Sequence, residues 1–169
     1  MIVTKAIKPK RLQDDRMRLA LLSGMKKIGR ESVKEYEKTV STWKQKPKFD
    51  YLVSLQQPGP TLLVGVSGGG DGADHWRYVN EGTRAHVILP KGNYPLKFQS
   101  GYNAKTTPGI ISAKAGGPFG DVIYAKGVLH PGTEARNFDE AITKVIEPKF
   151  KDEMHKAMRD ARQASGHAA

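Results

Sequence analysis

Three histidines and three acidic residues near the middle of the chain are the side chains whose types could do chemistry. They are His75, His86, His130, Asp71, Asp74 and Glu81. Imidazoles and carboxylates bind metal ions and move protons, and His75 and His86 flank one predicted hairpin, where they could approach each other. The sequence has no His-Glu-x-x-His motif and no two histidines four residues apart, and nothing in it fixes the outer contacts that metal ligands need. We therefore expect no catalytic residue, no metal and no cofactor here.

A glycine-rich segment at 67–74, Ser-Gly-Gly-Gly-Asp-Gly-Ala-Asp, could be compared with a phosphate-binding loop. Such a loop has spaced glycines and a Lys-Ser/Thr pair that opens a helix. Here Asp71 and Asp74 would repel phosphate, and the segment that follows at 76–80 is predicted as a strand. The pattern favours a flexible hairpin connection. No Ser/His/Asp triad is indicated either, because the chain has no nucleophile-elbow motif.

Positive charge is concentrated in the first part of the chain. Residues 1–48 contain 14 Lys/Arg and 5 Asp/Glu, whereas residues 49–169 contain 14 and 12. A basic segment can contact nucleic acid or an acidic protein surface, or it can simply be a solvated helix face. Together with Trp43, Trp76, Arg77 and Tyr78, it keeps open an alternative function as a basic nucleic-acid-binding or ribonuclease-like protein. Against this alternative, Trp76 and Tyr78 fall on one face of the predicted strand, as core or interface residues would.

Two Gly-Thr corners about fifty residues apart form the most distinctive pattern. Gly82 follows Glu81 and Gly132 follows Pro131, and glycine permits the positive φ of a tight turn. Thr83 and Thr133 could bond the backbone of their own turns. Each corner is followed by an arginine that could clamp carboxylates or carbonyls. An intrachain contact is favoured for Arg136, and the partner of Arg84 is left open. The candidate structural and interface residues are Trp76, Tyr78, Glu81, Gly82, Thr83, Arg84, Gly132, Thr133, Arg136, Asn137 and Phe138.

The totals are compatible with one domain over residues 1–169. The chain has no cysteine, which excludes disulfides and thiol chemistry. No apolar run reaches the roughly 18 residues that a membrane-spanning helix needs. The N-terminus is basic, but no apolar segment typical of a secretory signal follows it.

The elements that must position these residues are predicted as an α+β arrangement. A long amphipathic helix is expected over 11–46, locally weakened at Gly24 and Gly29 and ended by Pro47. The runs at 51–55 and 61–66 predict a hairpin. Further strands are predicted at 76–80, 85–89, 96–98 and 121–129.

The remaining segments are a loop and a closing helix. Residues 99–120, rich in Gly, Pro, Ser, Thr and Lys, predict a long flexible loop or arm. A helix begins near Phe138, with Asn137 as its cap and Glu140 completing a capping box. Pro148 should kink or split this helix, and residues 164–169 should form a flexible tail.

Several of these motifs together resemble one protein family. They are Trp-Arg-Tyr-Val-Asn-Glu-Gly-Thr-Arg-Ala-His at 76–86, Ile-Leu-Pro-Lys at 88–91, the Gly/Lys-rich loop through 105–109, and His-Pro-Gly-Thr-Glu-Ala-Arg-Asn-Phe at 130–138. Over roughly residues 11–160 the chain resembles the neck, or tail-completion, proteins of long-tailed double-stranded DNA bacteriophages. The Glu-Gly-Thr corner and the ending at 130–138, in this order, carry the resemblance.

The resemblance implies a structural virion protein that is not an enzyme. It implies a homo-oligomeric ring at the head–tail junction, assembled in the host cytoplasm, that contacts head-closure or adaptor proteins and tail-terminator or tail-tube proteins. Non-specific contact with the genomic DNA in the channel is implied, and membrane contact is not. The loop at 99–120 would then be a docking arm that orders on assembly, and the two corners would hold the sheet and its subunit contacts.

Overall fold

In the computed structural model, a long pair of helices packs beside a short hairpin, and a separate set of strands extends from one end of this body. The structure describes residues 14–54 and 60–165. The predictions for the basic leader, the start of the first helix, the turn at 56–59 and the end of the tail lie outside these residues. The α+β class with helices at both ends is confirmed.

The first helix, α1, spans Asp14–Thr39. Its buried residues recur every three or four positions: Met25, Ile28, Ser32, Tyr36 and Thr39. The prediction that it continues to residue 46 is wrong. After Thr39 the backbone tightens into turns, with Trp43 N donating to Val40 O at 2.9 Å, and Pro47 then precedes the first strand.

The last helix, α3, spans Phe138–Ala164 and packs along α1. The two helices come close at Gly24, where an added Cβ would lie 2.8 Å from the Met154 methyl group. Pro148 lies inside α3, which continues through it without the predicted split. The proline cannot donate to the carbonyl of Lys144, but both residues are on the exposed side of the helix, where water can bond that carbonyl.

The predicted hairpin is confirmed. Strands β1, Lys48–Ser54, and β2, Thr61–Ser67, pair antiparallel from Lys48 opposite Ser67 to Ser54 opposite Thr61. Alternate side chains, including Phe49, Leu62 and Val64, pack against the buried cluster of the two helices.

The segment predicted as a strand at 76–80 is instead part of a helix, α2, which spans Asp71–Glu81. Two acidic residues in its first turn favour a helix start because they lie at the positive end of the helix dipole. Trp76 and Asn80 are buried four residues apart on one face, while Tyr78 is exposed. The expectation that Trp76 and Tyr78 share one strand face is therefore wrong.

The remaining strands form two further antiparallel pairs, so the strands of the described residues make three two-stranded sheets and not one. Strand β3, His86–Ile88, pairs with β6, Val128–His130. Strand β4, Leu96–Asn103, pairs with β5, Gly117–Ala125. We call residues 84–132, which contain these four strands, the β lobe, and the β4–β5 pair the ribbon.

The prediction of one long loop over 99–120 is wrong, because β4 and β5 take up both of its ends. The alternation of apolar residues is hidden there by Gly101, Gly117 and Gly120, which have no side chain to show it. The connecting segment is only 104–116, between the two strands.

Candidate functional site: the paired Gly-Thr corners

The two Gly-Thr corners lie against each other at the base of the β lobe. Thr83 N donates to Thr133 O at 2.9 Å and Thr133 N donates to Thr83 O at 3.0 Å, so the two threonines form an isolated antiparallel bridge. The Thr83 hydroxyl oxygen also accepts from Thr133 N at 3.0 Å. Thr83 therefore bonds the backbone of the other corner, not that of its own turn as the sequence predicted. These hydrogen bonds hold the two ends of the β lobe together.

Glycine is required at both corners by conformation and by space. Gly82 has φ 77° and Gly132 has φ 95°, so the predicted positive φ values are confirmed. A Cβ on Gly82 would lie 2.7 Å from Thr133 O, and one on Gly132 would meet the backbone of Thr83 and Arg84. The backbones of the two corners touch only because neither glycine has a side chain.

Asn80, which the sequence interpretation did not single out, connects the corners to the last helix. Its side-chain oxygen accepts from Phe138 N at 2.8 Å, and its side-chain nitrogen donates to Asp139 Oδ2 at 2.8 Å. Its carbonyl oxygen accepts from the backbone of Arg136 and Asn137 at 3.1 and 3.0 Å. The buried Asn80 thus bonds the start of α3 from another part of the chain.

This arrangement corrects the prediction that Asn137 caps α3. Asn137 precedes the helix in the left-handed conformation, with φ 50°, and its side chain makes no capping bond. Asn137 therefore shapes the turn, and Asn80 supplies the acceptor for the free N–H groups of the first helical turn. Asn80 lies four residues after Trp76 on the buried face of α2, so it could have been noticed only if 71–81 had been recognised as a helix.

Phe138 and Trp76 anchor the corners in the core. Phe138 is fully buried, and its ring stacks on Trp76 with the ring centres 6.2 Å apart. The Trp76 indole donates from Nε1 to Thr39 Oγ1 at 3.1 Å. Tyr36 donates from its hydroxyl to Asp139 Oδ1 at 2.8 Å, and burial, with the carboxylate beside it, raises the pKa of Tyr36. Helices α1, α2 and α3 meet at this point.

Arg136 forms the intrachain contact that the sequence favoured. Its side chain is mostly buried; Nε donates to Thr106 Oγ1 at 3.3 Å and Nη1 lies 3.3 Å from Glu134 Oε2. Its carbonyl accepts from Gly109 N at 3.0 Å. By contrast, Arg84 and Glu81 are exposed.

The same contacts revise the interpretation of the connecting segment 104–116. Thr106 is buried, Ala113 N donates to Lys38 O at 3.3 Å, and Lys105 Nζ donates to Thr42 O at 3.3 Å. The segment is held on the end of α1 and on Arg136. It is therefore a packed connection, unlike the exposed strands of the ribbon.

The histidines do not assemble as the sequence allowed. His86 lies opposite His130, with ring centres 5.1 Å apart, whereas His75 packs on the ring of Trp43 at 4.7 Å. His130 Nδ1 accepts from Gly132 N at 3.0 Å, and His86 Nδ1 lies 2.8 Å from Arg84 O. Within residues 14–54 and 60–165, no three histidine or acidic side chains are placed to hold a metal ion.

One of the two arguments against a phosphate-binding loop at 67–74, the strand predicted after it, also changes. The glycines at 68–70 precede the helix α2 and not a strand. The other ground remains, because Asp71 and Asp74 lie in the first turn of that helix and no Lys-Ser/Thr pair is present. The glycines therefore lead into a helix N-terminus, but the negative charge of the two aspartates makes this place unfavourable for an anion.

Comparisons of the chain with protein-family models, with curated proteins and with solved structures found no match. None of the helices in the described part of the chain is both long and apolar enough to span a membrane. The corner site connects the β lobe to the place where α1, α2 and α3 meet.

Proposed function

We propose that this chain is a structural protein of the phage virion that joins the DNA-filled head to the tail, as a homo-oligomeric ring around the DNA channel. One observation carries the proposal. The segments on which the resemblance to neck proteins rests, 76–86 and 130–138, are far apart in sequence, yet they form one unit through Thr83, Thr133 and Asn80. Motifs that resemble a family separately and also meet in space are better support than either motif alone.

The exposed apolar surface of the β lobe supports the same proposal. A joining protein needs extended contact surfaces and rigid connections between them, and it needs no reactive pocket. The lobe exposes many large apolar side chains, among them Val87, Leu89, Tyr102, Phe119, Tyr124 and Leu129. Exposed apolar groups in such number mark surfaces that contact other proteins.

The genetic experiment is a deletion of the coding sequence from the phage or prophage that contains it. If the proposal holds, filled heads and separate tails accumulate, joined particles are absent in electron micrographs, and a copy supplied in trans restores them. The protein should also be detected in purified virions by mass spectrometry. Normal joined particles from the deletion strain would contradict the proposal.

The nucleic-acid alternative keeps one supporting observation, the row of exposed basic residues Lys26, Arg30 and Lys34 along α1. If that function is the right one, the isolated protein should cleave RNA or bind short nucleic acids with a steep dependence on salt. A triple change of these residues to glutamine should abolish binding. We expect the purified protein to leave RNA and DNA intact, with or without divalent metal ions.

A further inference from the structure

Apolar side chains are exposed on both faces of the ribbon, and on one face they come from β5. Phe119, Val122 and Tyr124 on β5 lie opposite Gly101, Gln99 and Lys97 on β4. Residues opposite each other in an antiparallel pair point to the same face, and residues two apart share it. The three β4 partners are two apart, and a β-bulge adds one residue to β5 between Phe119 and Val122, so these two also share the face. The three β5 side chains and Lys97 therefore form one surface, which we call the ribbon face.

The side chains of the ribbon face contact the opposite strand, and yet the face is exposed to solvent. The ring of Phe119 covers Gly101 so closely that a Cβ there would overlap it, and Lys97 Nζ lies 5.9 Å from the centre of the Tyr124 ring. Even so, Phe119, Val122 and Tyr124 remain 52%, 50% and 62% exposed. The ribbon strands pack chiefly on each other and not on the helices, so the folded chain does not cover this face.

Charge indicates what would cover it. The β lobe contains six basic residues and one acidic residue, Asp121. Its basic residues are Arg84, Lys91, Lys97, Lys105, Lys114 and Lys126. The ribbon face itself carries one charge, Lys97. A contact between two ribbons would bring together two lobes that each have this excess of positive charge, so a two-fold contact is disfavoured. A partner surface should be acidic and should offer an aromatic or apolar centre.

The chain itself has such a surface on α2. Asp71, Asp74, Tyr78 and Glu81 are spaced by three, four and three residues, so they lie along one side of the helix. All four are exposed, Tyr78 at 52%, and this side faces away from the buried Trp76 and Asn80. Three acidic residues and one arginine give α2 a net charge of −2, the most negative of the helices and strands in the described chain. The arginine, Arg77, lies beside this surface, 3.1 Å from Asp74 Oδ1 and 5.8 Å from the centre of the Tyr78 ring. We call this side the α2 face.

We propose that the ribbon face of one copy binds the α2 face of the next copy. The two surfaces are different parts of one chain, so the contact is head-to-tail, and each copy can bind one neighbour through each surface. Repetition of such a contact gives a ring when the rotation closes. The inference deepens the proposed function, and it rests on the proposed ring only for that closure.

Because the chain has no cysteine, introduced cysteines report this contact without background. The double variant Tyr78→Cys/Tyr124→Cys should form a ladder of disulfide-linked oligomers under mild oxidation, both in concentrated isolated protein and in joined particles. A mixture of the two single variants should give dimers only. The matched control Met158→Cys/Tyr124→Cys replaces Tyr78 with a site of similar exposure on α3, 47%, and should give no ladder.

A charge exchange tests the same contact without oxidation. Lys97→Glu should cause loss of the oligomer in sedimentation, and Glu81→Lys should do the same, since each places like charges together. Mixing the two single variants, or combining both changes in one chain, should restore association. Far-UV circular dichroism of each variant checks that it is folded, as expected for exposed positions.

The outcomes separate this inference from the proposed function. A ladder through residues 78 and 124 supports the contact even if deletion of the gene leaves joining intact. If the protein enters joined particles but shows no such ladder, or one no stronger than the control, the contact is wrong and the joining function stands. Dimers formed by Tyr124→Cys alone, through two ribbon faces, would also overturn the head-to-tail contact.

Discussion

At the scale of single residues, Gly132 shows how one missing side chain decides a tertiary contact. Its φ of 95° is in the left-handed region, and the backbone of the other corner occupies the place of its Cβ. Conformation and crowding are two separate costs of any side chain here. Gly68 provides a comparison, since its φ is 79° but an added Cβ would meet nothing within 4 Å.

We expect Gly132→Ala to lower the free energy of unfolding by about 2–5 kcal/mol. An L-residue in the left-handed region costs about 1–2 kcal/mol, and overpacking adds about 1–3 kcal/mol. The control Gly68→Ala should lower the free energy of unfolding only by the conformational cost, about 1–2 kcal/mol. Urea denaturation of both variants makes the comparison, and equal losses would mean that the two corners do not touch as described.

Asn80 is a second residue whose substitution should strongly lower the free energy of unfolding. Asn80→Ala removes a helix cap, worth about 1 kcal/mol, and leaves buried polar partners unsatisfied, at about 1–3 kcal/mol. We therefore expect a loss of about 2–4 kcal/mol in thermal or urea unfolding. Asn137→Gly should leave stability unchanged or slightly higher, because glycine suits a φ of 50°. If Asn137→Gly proved the more damaging change, the capping assignment would be reversed.

At the scale of elements, Gly29 decides how α1 meets the hairpin. Glycine inside a helix costs about 1 kcal/mol relative to alanine, so the sequence predicted a weak point. In the fold, a Cβ at this position would overlap the ring of Tyr51 on β1. The residue that weakens the isolated helix is the one that lets the hairpin approach it.

The Gly29→Ala substitution should therefore change the free energy of unfolding in opposite directions in two backgrounds. Gly29→Ala alone should destabilise the protein, since the overlap with Tyr51 outweighs the gain in helix propensity. In a Tyr51→Ala background the overlap is gone, and the same change should stabilise by about 1 kcal/mol. A double-mutant cycle from urea unfolding measures this coupling, and additive effects would contradict the described contact.

The sequence predicted some elements and not others for identifiable physical reasons. The β1–β2 hairpin and the first and last helices have the apolar periodicity of their own secondary structure, and they were recognised. Trp76 and Tyr78 suggested strand alternation, but burial of Trp76 and Asn80 four residues apart selected the helix. In the ribbon, Phe119 packs over Gly101, a cross-strand contact that no local pattern displays.

The corner site was predictable only in part for a similar reason. The positive φ of Gly82 and Gly132 follows from local turn chemistry, and it was foreseen. The bridge between Thr83 and Thr133 joins residues fifty positions apart, and the role of Asn80 depends on where α3 begins. Such long-range contacts depend on the assembled fold, so local spacing cannot supply them.

At the scale of the whole molecule, stability should be distributed unevenly between the helical body and the β lobe. The body buries the Trp76 and Phe138 cluster, whereas the ribbon is two-stranded and keeps its apolar side chains exposed. Two-stranded sheets with little buried area open easily. The Thr83–Thr133 bridge lies at the border between the two parts.

We therefore expect hydrogen exchange of the isolated protein to show three levels of protection. Amides in the centres of α1 and α3 should exchange slowest, Thr83 and Thr133 should be intermediate, and β4 and β5 should exchange fastest, because protection follows the free energy of local opening. In the oligomer, the ribbon and the exposed side of α2 should become protected together, as two sides of one contact. Ribbon amides as protected as those of α1 in the monomer would show that the lobe is stabilised within the chain, and its exposed apolar face would then need no partner.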